Sequence, residues 1–231
     1  MATVLVESRF CGPPGMSNGG YAAGVVARHT SGVARVRLQA PIPLDTPLDL
    51  AERGGGRVEL RHDEAVLAYA EPSSLELETP EPPSYEEAVE ASARSVAHVD
   101  HPFPGCFVCG TGRAPGEGLR LFSGPLRAGG PVATPWTPHP SLADGDGRVR
   151  AEFMAAALDC PGYLATCNDG TPMLLGEITL HVEERVRVRE PCVVVGWRIT
   201  ATGRKHEVGT AVFDASGAVA GRARGIWLGP K

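Results

Sequence analysis

The chain has 231 residues, 42% of them hydrophobic and 21% charged, and a formal net charge of -5. A general nucleic-acid binder would carry a basic excess, which is absent here, and no apolar run approaches the ~18 residues of a membrane span. The length admits one large domain or two of about 100 residues each.

The positive charge is almost all Arg, and Ala, Gly, Val and Pro are abundant, a composition that points to a GC-rich bacterial genome. The stretch Met1 to Val6 is too short for a signal peptide and has no basic segment. Cys11, Cys106, Cys109, Cys160, Cys167 and Cys192 are scattered through the chain. Without a secretory signal they read as reduced thiols of a cytoplasmic protein.

In chain order, Thr3 to Arg9 alternates apolar and polar residues as a short strand does. The loop Phe10 to Gly20 is dense in Gly and Pro, and Tyr21 to His29 then takes helical spacing with Ala22, Val25 and Val26 on one side. Ser17 or Asn18 is the natural N-cap, because either side chain can accept from an orphan amide of the first turn. Gly19 and Gly20 would let a ligand approach the backbone amides there, where the helix dipole favours negative charge, or they form a plain glycine-rich turn. Strands are expected at Val33 to Ala40, Pro47 to Glu52, Arg57 to His62 and Val66 to Ala70, with Asp63-Glu64 as the turn between the last two.

Glu76 to Glu87 is rich in Glu, Pro and Ser, the composition of a solvated, partly extended linker, and Ala88 to Ala97 can form a short helix. This divides the chain into an N-terminal unit at 1–75, a linker with a Cys-x-x-Cys turn at 76–117, and a C-terminal unit at 118–231. Cys106-x-x-Cys109 invites a zinc reading, but a closed structural site takes four ligands and no second Cys-x-x-Cys or His-x-His spacing follows. His98, His101, Cys160 and Cys167 are the nearby candidates. A redox pair would want a thioredoxin-like context that is missing. The expectation is therefore a tight apolar turn with small buried thiols, and no metal or cofactor.

Short strands are expected at Gly118 to Ser123 and Ala133 to Thr137. Arg150 to Thr166 has helical spacing, interrupted where Pro161 lacks an amide donor and clashes with the preceding turn. Inside it, Ala156-Ala157-Leu158-Asp159-Cys160-Pro161-Gly162-Tyr163 places one carboxylate in an apolar helix. An unpaired buried charge is expensive. Asp159 is thus either a cap for the Cys-Pro-Gly that follows or a carboxylate with a chemical task, such as a general base. Four strands close the chain: Leu174 to Val182, Cys192 to Ala201, Glu207 to Asp214 and Val219 to Leu228.

The two halves share one plan. Gly20-Tyr21 matches Gly162-Tyr163 at an offset of 142, and Val36 to Gln39 falls opposite Ile178 to His181 at the same offset. Each half is a helix followed by a four-stranded antiparallel meander. A sheet wrapped around one Ala- and Gly-rich helix leaves an edge to cover, which pairing the two sheets would do. The repeat predicts an intramolecular pseudo-dimer.

These motifs resemble the double hotdog thioesterase-like proteins of the acyl-CoA thioesterase superfamily. The resemblance covers nearly the whole chain as architecture, an α+β double hotdog of two tandem helix-plus-sheet repeats. It is most specific at Ser17 to Tyr21, Phe103 to Gly110 and Ala157 to Gly162. It implies hydrolysis of an acyl-CoA or related thioester by an Asp-activated water between the two helices. The implied catalytic positions are Asp159, Thr179 as the hydroxyl residue, and Arg224 where the family places Gln. Asn18, Gly19, Gly20, Tyr21, Gly162 and Tyr163 would bind substrate or stabilise the oxyanion. Arg204, Lys205 and Arg222 would meet the CoA phosphates, and two pseudo-dimers could pair as a homodimer. The alternatives are a hotdog protein that binds acyl-CoA or lipid without turnover, and a hotdog dehydratase, which normally wants a catalytic His such as His181 or His206.

Overall fold

The computed structural model describes residues 2–166 and 171–230, so Cys167 lies outside the described residues. Among the described residues the chain forms one eleven-stranded antiparallel sheet and four α-helices. The first half contains β1 (Ala2–Leu5), α1 (Gly19–Ala27), β2 (Ala34–Leu38), β3 (Pro47–Glu52), β4 (Val58–His62) and β5 (Ala65–Pro72). After α2 (Tyr85–Ala93) come β6 (Gly124–Pro125), β7 (Val132–Trp136), α3 (Ala151–Ala157) and α4 (Cys160–Leu164). The chain ends with β8 (Leu174–Val182), β9 (Cys192–Thr202), β10 (Lys205–Phe213) and β11 (Val219–Leu228).

The strand order is β1-β3-β4-β5-β2-β8-β11-β10-β9-β7-β6. Setting β6 aside, β7 to β11 repeat the arrangement of β1 to β5 in mirror order about the β2–β8 junction. At that junction Val36 pairs with Ile178, the residues that the 142-residue offset equates. The pseudo-two-fold axis therefore passes between them. Each sheet's open edge is closed by the other copy, which removes a row of unpaired backbone groups from water.

The two helical faces meet at backbone distance. α1 is buried from Gly20 to Ala27 and runs antiparallel to α3. A Cβ at Gly20 would stand 2.4 Å from the Asp159 Cβ, and one at Gly24 would stand 2.6 Å from the Glu152 Cα. Only glycine permits that approach. Phe10, Tyr21, Phe107 and Phe153 form one ring cluster against this helix pair, with Phe10 stacked on Tyr21 at 4.1 Å between centroids. Such pairs add about 0.5–1.5 kcal/mol each beyond area burial.

The helical segment expected at Arg150 to Thr166 is interrupted near Pro161, as expected, and forms two helices. α3 ends at Ala157, four residues before Pro161, because the proline ring excludes the helical carbonyl geometry there and offers no N–H. Asp159 sits in the break with φ -91° and ψ -82°. Gly118 to Ser123 is not a strand of the sheet. It runs beside the Cys-x-x-Cys turn, where the Leu119 and Leu121 amides donate to the Phe107 and Val108 carbonyls at 2.8 and 2.9 Å. α2 starts earlier than expected, behind a capping box of Ser84 and Glu87. Its Ala88 and Ala91 pack on Val193, Val195, Ala211 and Phe213, the face of the sheet opposite to α1, α3 and α4.

Candidate functional site

The site is built where the start of α1 meets the break between α3 and α4. Asn18 is the N-cap of α1: its Oδ1 accepts from the Tyr21 amide at 2.8 Å. That bond turns the other end of the amide outward, and Nδ2 donates to Asp159 Oδ2 at 2.8 Å. The Gly20 amide donates to the same oxygen, also at 2.8 Å. Asp159 Oδ1 is buried without a hydrogen-bond partner. Asp159 stands at the N-cap position of α4 yet makes no side-chain cap bond, so helix capping does not explain it. Burial pushes its carboxyl up to about 7, opposed by the Gly20 amide and Asn18 and reinforced by Cys106.

Beside this carboxylate lie three thiols from two distant parts of the chain. The Cys106, Cys109 and Cys160 sulfurs all lie within 4.8 Å of one another, and all three residues are buried. Cys106 and Cys160 are 3.8 Å apart. Asn18 Nδ2 reaches Cys160 Sγ at 3.7 Å and Cys106 Sγ at 3.9 Å. His101 Nε2 is 3.2 Å from Cys109 Sγ, while its Nδ1 accepts from the Phe103 amide at 3.0 Å. Hydrogen bonds from the Cys109 and Cys160 thiols hold Cys106 well below the ordinary thiol range. The sequence offered Cys160 and His101 among four nearby partners for Cys106 and Cys109, and favoured a bland turn without metal. The break at Asp159-Cys160 is what delivers the third sulfur.

A small apolar cavity of about 40 Å³ opens against this cluster, lined by Asn18, His101, the three cysteines, Tyr163, Met173, Leu175 and Trp227 among others. The Tyr163 and Trp227 rings pack at 5.5 Å. The Trp227 indole N–H is buried with no hydrogen-bond partner. It was not among the expected site residues, and its position on an inward-facing register of β11 is the signal that would have found it.

Of the expected site residues, the structure gathers Asn18, Gly20, Tyr21, Asp159, Gly162 and Tyr163 around this junction, with Gly19 opening α1 against Leu38 and Leu175. Of the amides expected to face an oxyanion, those of Gly20 and Gly162 are already engaged. Gly20 donates to Asp159, Tyr21 to Asn18, and Gly162 to the Asp159 carbonyl at 3.0 Å. Thr179 and Arg224 are not brought to Asp159. They are cross-strand partners on β8 and β11, in register with Arg35 of β2, and their neighbours Ile178, Leu180, Ala223 and Gly225 take the buried, helix-side positions. Strand alternation sends the two side chains to the opposite face, where Arg224 donates to the Glu76 carbonyl at 2.8 Å. Arg222 shares that face, bonded to the Leu77 carbonyl and paired with Glu183. Arg204 and Lys205 are exposed at the β9–β10 hairpin. Asp159 is hydrogen-bonded to Asn18 and Gly20 rather than to a histidine, and His181 pairs instead with Glu183 at 3.2 Å.

No protein-family model and no curated protein sequence matches the chain. Solved structures do. The tesB protein of Mycobacterium avium subs paratuberculosis superposes with a TM-score of 0.63 at 14% identity, covering 99% of this chain and 92% of its own. A conserved protein of unknown function with hot dog fold from Alicyclobacillus acidocaldarius gives 0.62 at 11% identity, with the same coverage of 99% and 92%. The chain is a double hotdog. A candidate thioesterase II from Thermobifida fusca YX matches over 99% of this chain and 92% of its own, at TM-score 0.60 and 13% identity. Identity this low carries the double hotdog architecture across and leaves the chemistry to be argued from the site.

Proposed function

We propose that this double hotdog protein hydrolyses an acyl-CoA or related thioester, with Asp159 activating the attacking water. The observation that carries the reading is the divided carboxylate. Asp159 Oδ2 is tethered by two donors from the first half, and Oδ1 is left without a partner in a buried position. A carboxylate fixed in this way can hold a water at Oδ1 and take its proton as the water oxygen bonds to the thioester carbon. The tetrahedral intermediate then collapses, breaking the C–S bond, and the CoA thiolate leaves and is protonated. The unpartnered Trp227 N–H in the cavity wall replaces the Gly20 and Gly162 amides as the donor to the developing oxyanion. Oriented donors of this kind are worth about 3 kcal/mol each.

A cavity of about 40 Å³ admits a water but not an acyl chain. Substrate entry therefore moves part of the wall, and Leu174, half exposed at its rim, is the residue placed to yield. For the CoA phosphates, a cleft of about 700 Å³ at the β6–β7 edge offers Arg94, Arg127 and Arg198, and Leu164 and Ala165 at the end of α4 border it. Three guanidinium groups suit an anionic nucleotide better than the exposed Arg204–Lys205 hairpin.

A second reading, an acyl-CoA or lipid binder without turnover, draws on the same amides: two donors expected for an oxyanion are spent within the protein. Thiol release from short, medium, long and aromatic acyl-CoAs, with wild type beside Asp159→Asn, separates the two. Turnover by wild type that the variant loses supports the hydrolase. Ligand binding by both proteins without turnover assigns the binder.

A further inference from the structure

The hydrolysis proposed above draws no group from the thiol cluster beside Asp159, and the geometry of that cluster is that of a metal site. We infer that Cys106, Cys109 and Cys160 bind one zinc ion as thiolates. In tetrahedral zinc with Zn–S bonds of about 2.3 Å, ligand sulfurs stand about 3.8 Å apart. The Cys106–Cys160 separation is 3.8 Å, and no pair in the trio exceeds 4.8 Å. Three soft sulfur ligands favour zinc over the oxygen-seeking cations.

The backbone around the trio is shaped for it. From Cys106 to Gly110 the chain makes a tight knuckle, in which the Gly110 amide donates to the Cys106 carbonyl at 2.9 Å. A Cβ at Gly110 would stand 2.4 Å from that carbonyl oxygen, so glycine is required there. Asn18 Nδ2 approaches both Cys106 and Cys160, at 3.9 and 3.7 Å. It is an N–H donor of the kind that a cluster of buried thiolates needs beyond the metal itself. With Nδ1 accepting from Phe103, His101 presents its Nε2 proton to the Cys109 sulfur and is one more such donor. The three cysteines border the cavity of about 40 Å³, which has room for a water as a fourth ligand. The third sulfur lies 54 residues beyond the first, so the ion would pin the knuckle to the α3–α4 break that positions Asp159.

The inference stands apart from thioester hydrolysis, and its test does not read activity. The full chain is purified without chelators, incubated with zinc, dialysed, and its metal content measured by plasma mass spectrometry beside a count of reactive thiols. One zinc per chain is expected, with the three site thiols reacting only after the metal is chelated. Cobalt substitution of the wild type is expected to give intense visible d–d bands and a thiolate charge-transfer band, and needs no variant to fold. Among variants, Cys160→Ser is expected to lose the zinc and Cys11→Ser to keep it. Wild-type protein without bound zinc, its thiols freely reactive, would overturn the inference, and so would a folded Cys160→Ser variant that retains a full equivalent.

Discussion

Asn18 Nδ2 lies 2.8 Å from Asp159 Oδ2, and this hydrogen bond ties the first turn of α1 to the break between α3 and α4. Asn18 thereby does two jobs, because its Oδ1 also caps the helix. Asn18→Ala removes both, and the losses of a cap (~1 kcal/mol) and of a donor to a buried charged group (~1.5–3 kcal/mol) predict a destabilisation of about 2–4 kcal/mol. Urea unfolding followed by circular dichroism measures it. A loss under about 1 kcal/mol would mean that solvent reaches the carboxylate and replaces the amide.

Gly20 is the position where α1 and the Asp159 segment touch. Gly20→Ala puts a methyl carbon 2.4 Å from the Asp159 Cβ, a separation that forces the helices apart. The expected outcome is a loss of at least about 2 kcal/mol in stability, together with loss of whatever activity Asp159 supports. Gly54→Ala, with open space around its Cβ, is the control and is expected to shift stability by no more than about 0.5 kcal/mol. Equal effects of the two substitutions would argue against the close contact.

The face assignment of β8 and β11 separates Asp159 from Thr179 and Arg224. Asp159→Asn is expected to lower kcat by roughly 10²–10⁴-fold, the usual worth of a general base. Thr179→Val and Arg224→Met are expected to leave kcat unchanged, since both side chains stand on the far side of the sheet. A collapse of kcat in Arg224→Met, with circular dichroism intact, would return that residue to the reacting centre.

Arg127→Ala and Arg198→Ala test the arginine-lined cleft. Each is expected to raise KM for acyl-CoA while leaving kcat in place, and to leave turnover of a short N-acetylcysteamine thioester, which has no nucleotide, unaffected. An equal effect on both substrates would place the nucleotide elsewhere.

Much of the fold was legible because it depends on local pattern. Alternation placed β3 at Pro47–Glu52 and β8 at Leu174–Val182 with the bounds observed. The offset relating Val36 to Ile178 anticipated the joint between the halves, since a duplicated sheet covers its edge with its own copy. Pro161 marked the interruption of the second helix. Gly118 to Ser123 misled because an extended apolar run looks the same whether its amides meet a sheet or, as here, the turn at Phe107 and Val108.

The site divides in the same way. The sequence by itself determined that Asp159 is an anomaly, a carboxylate in an apolar helix, and that Ser17 or Asn18 caps the first helix. Both follow from the cost of burying charge and from the orphan amides of a helix start. Only the tertiary structure decided that Asn18 is the cap and bonds to Asp159, that Cys160 joins Cys106 and Cys109, and that Thr179 and Arg224 face away. The reason is geometric. Each depends on which face of a strand or helix meets which distant segment, and a few ångströms of approach between Gly20 and Asp159, permitted by a missing Cβ, set the whole arrangement.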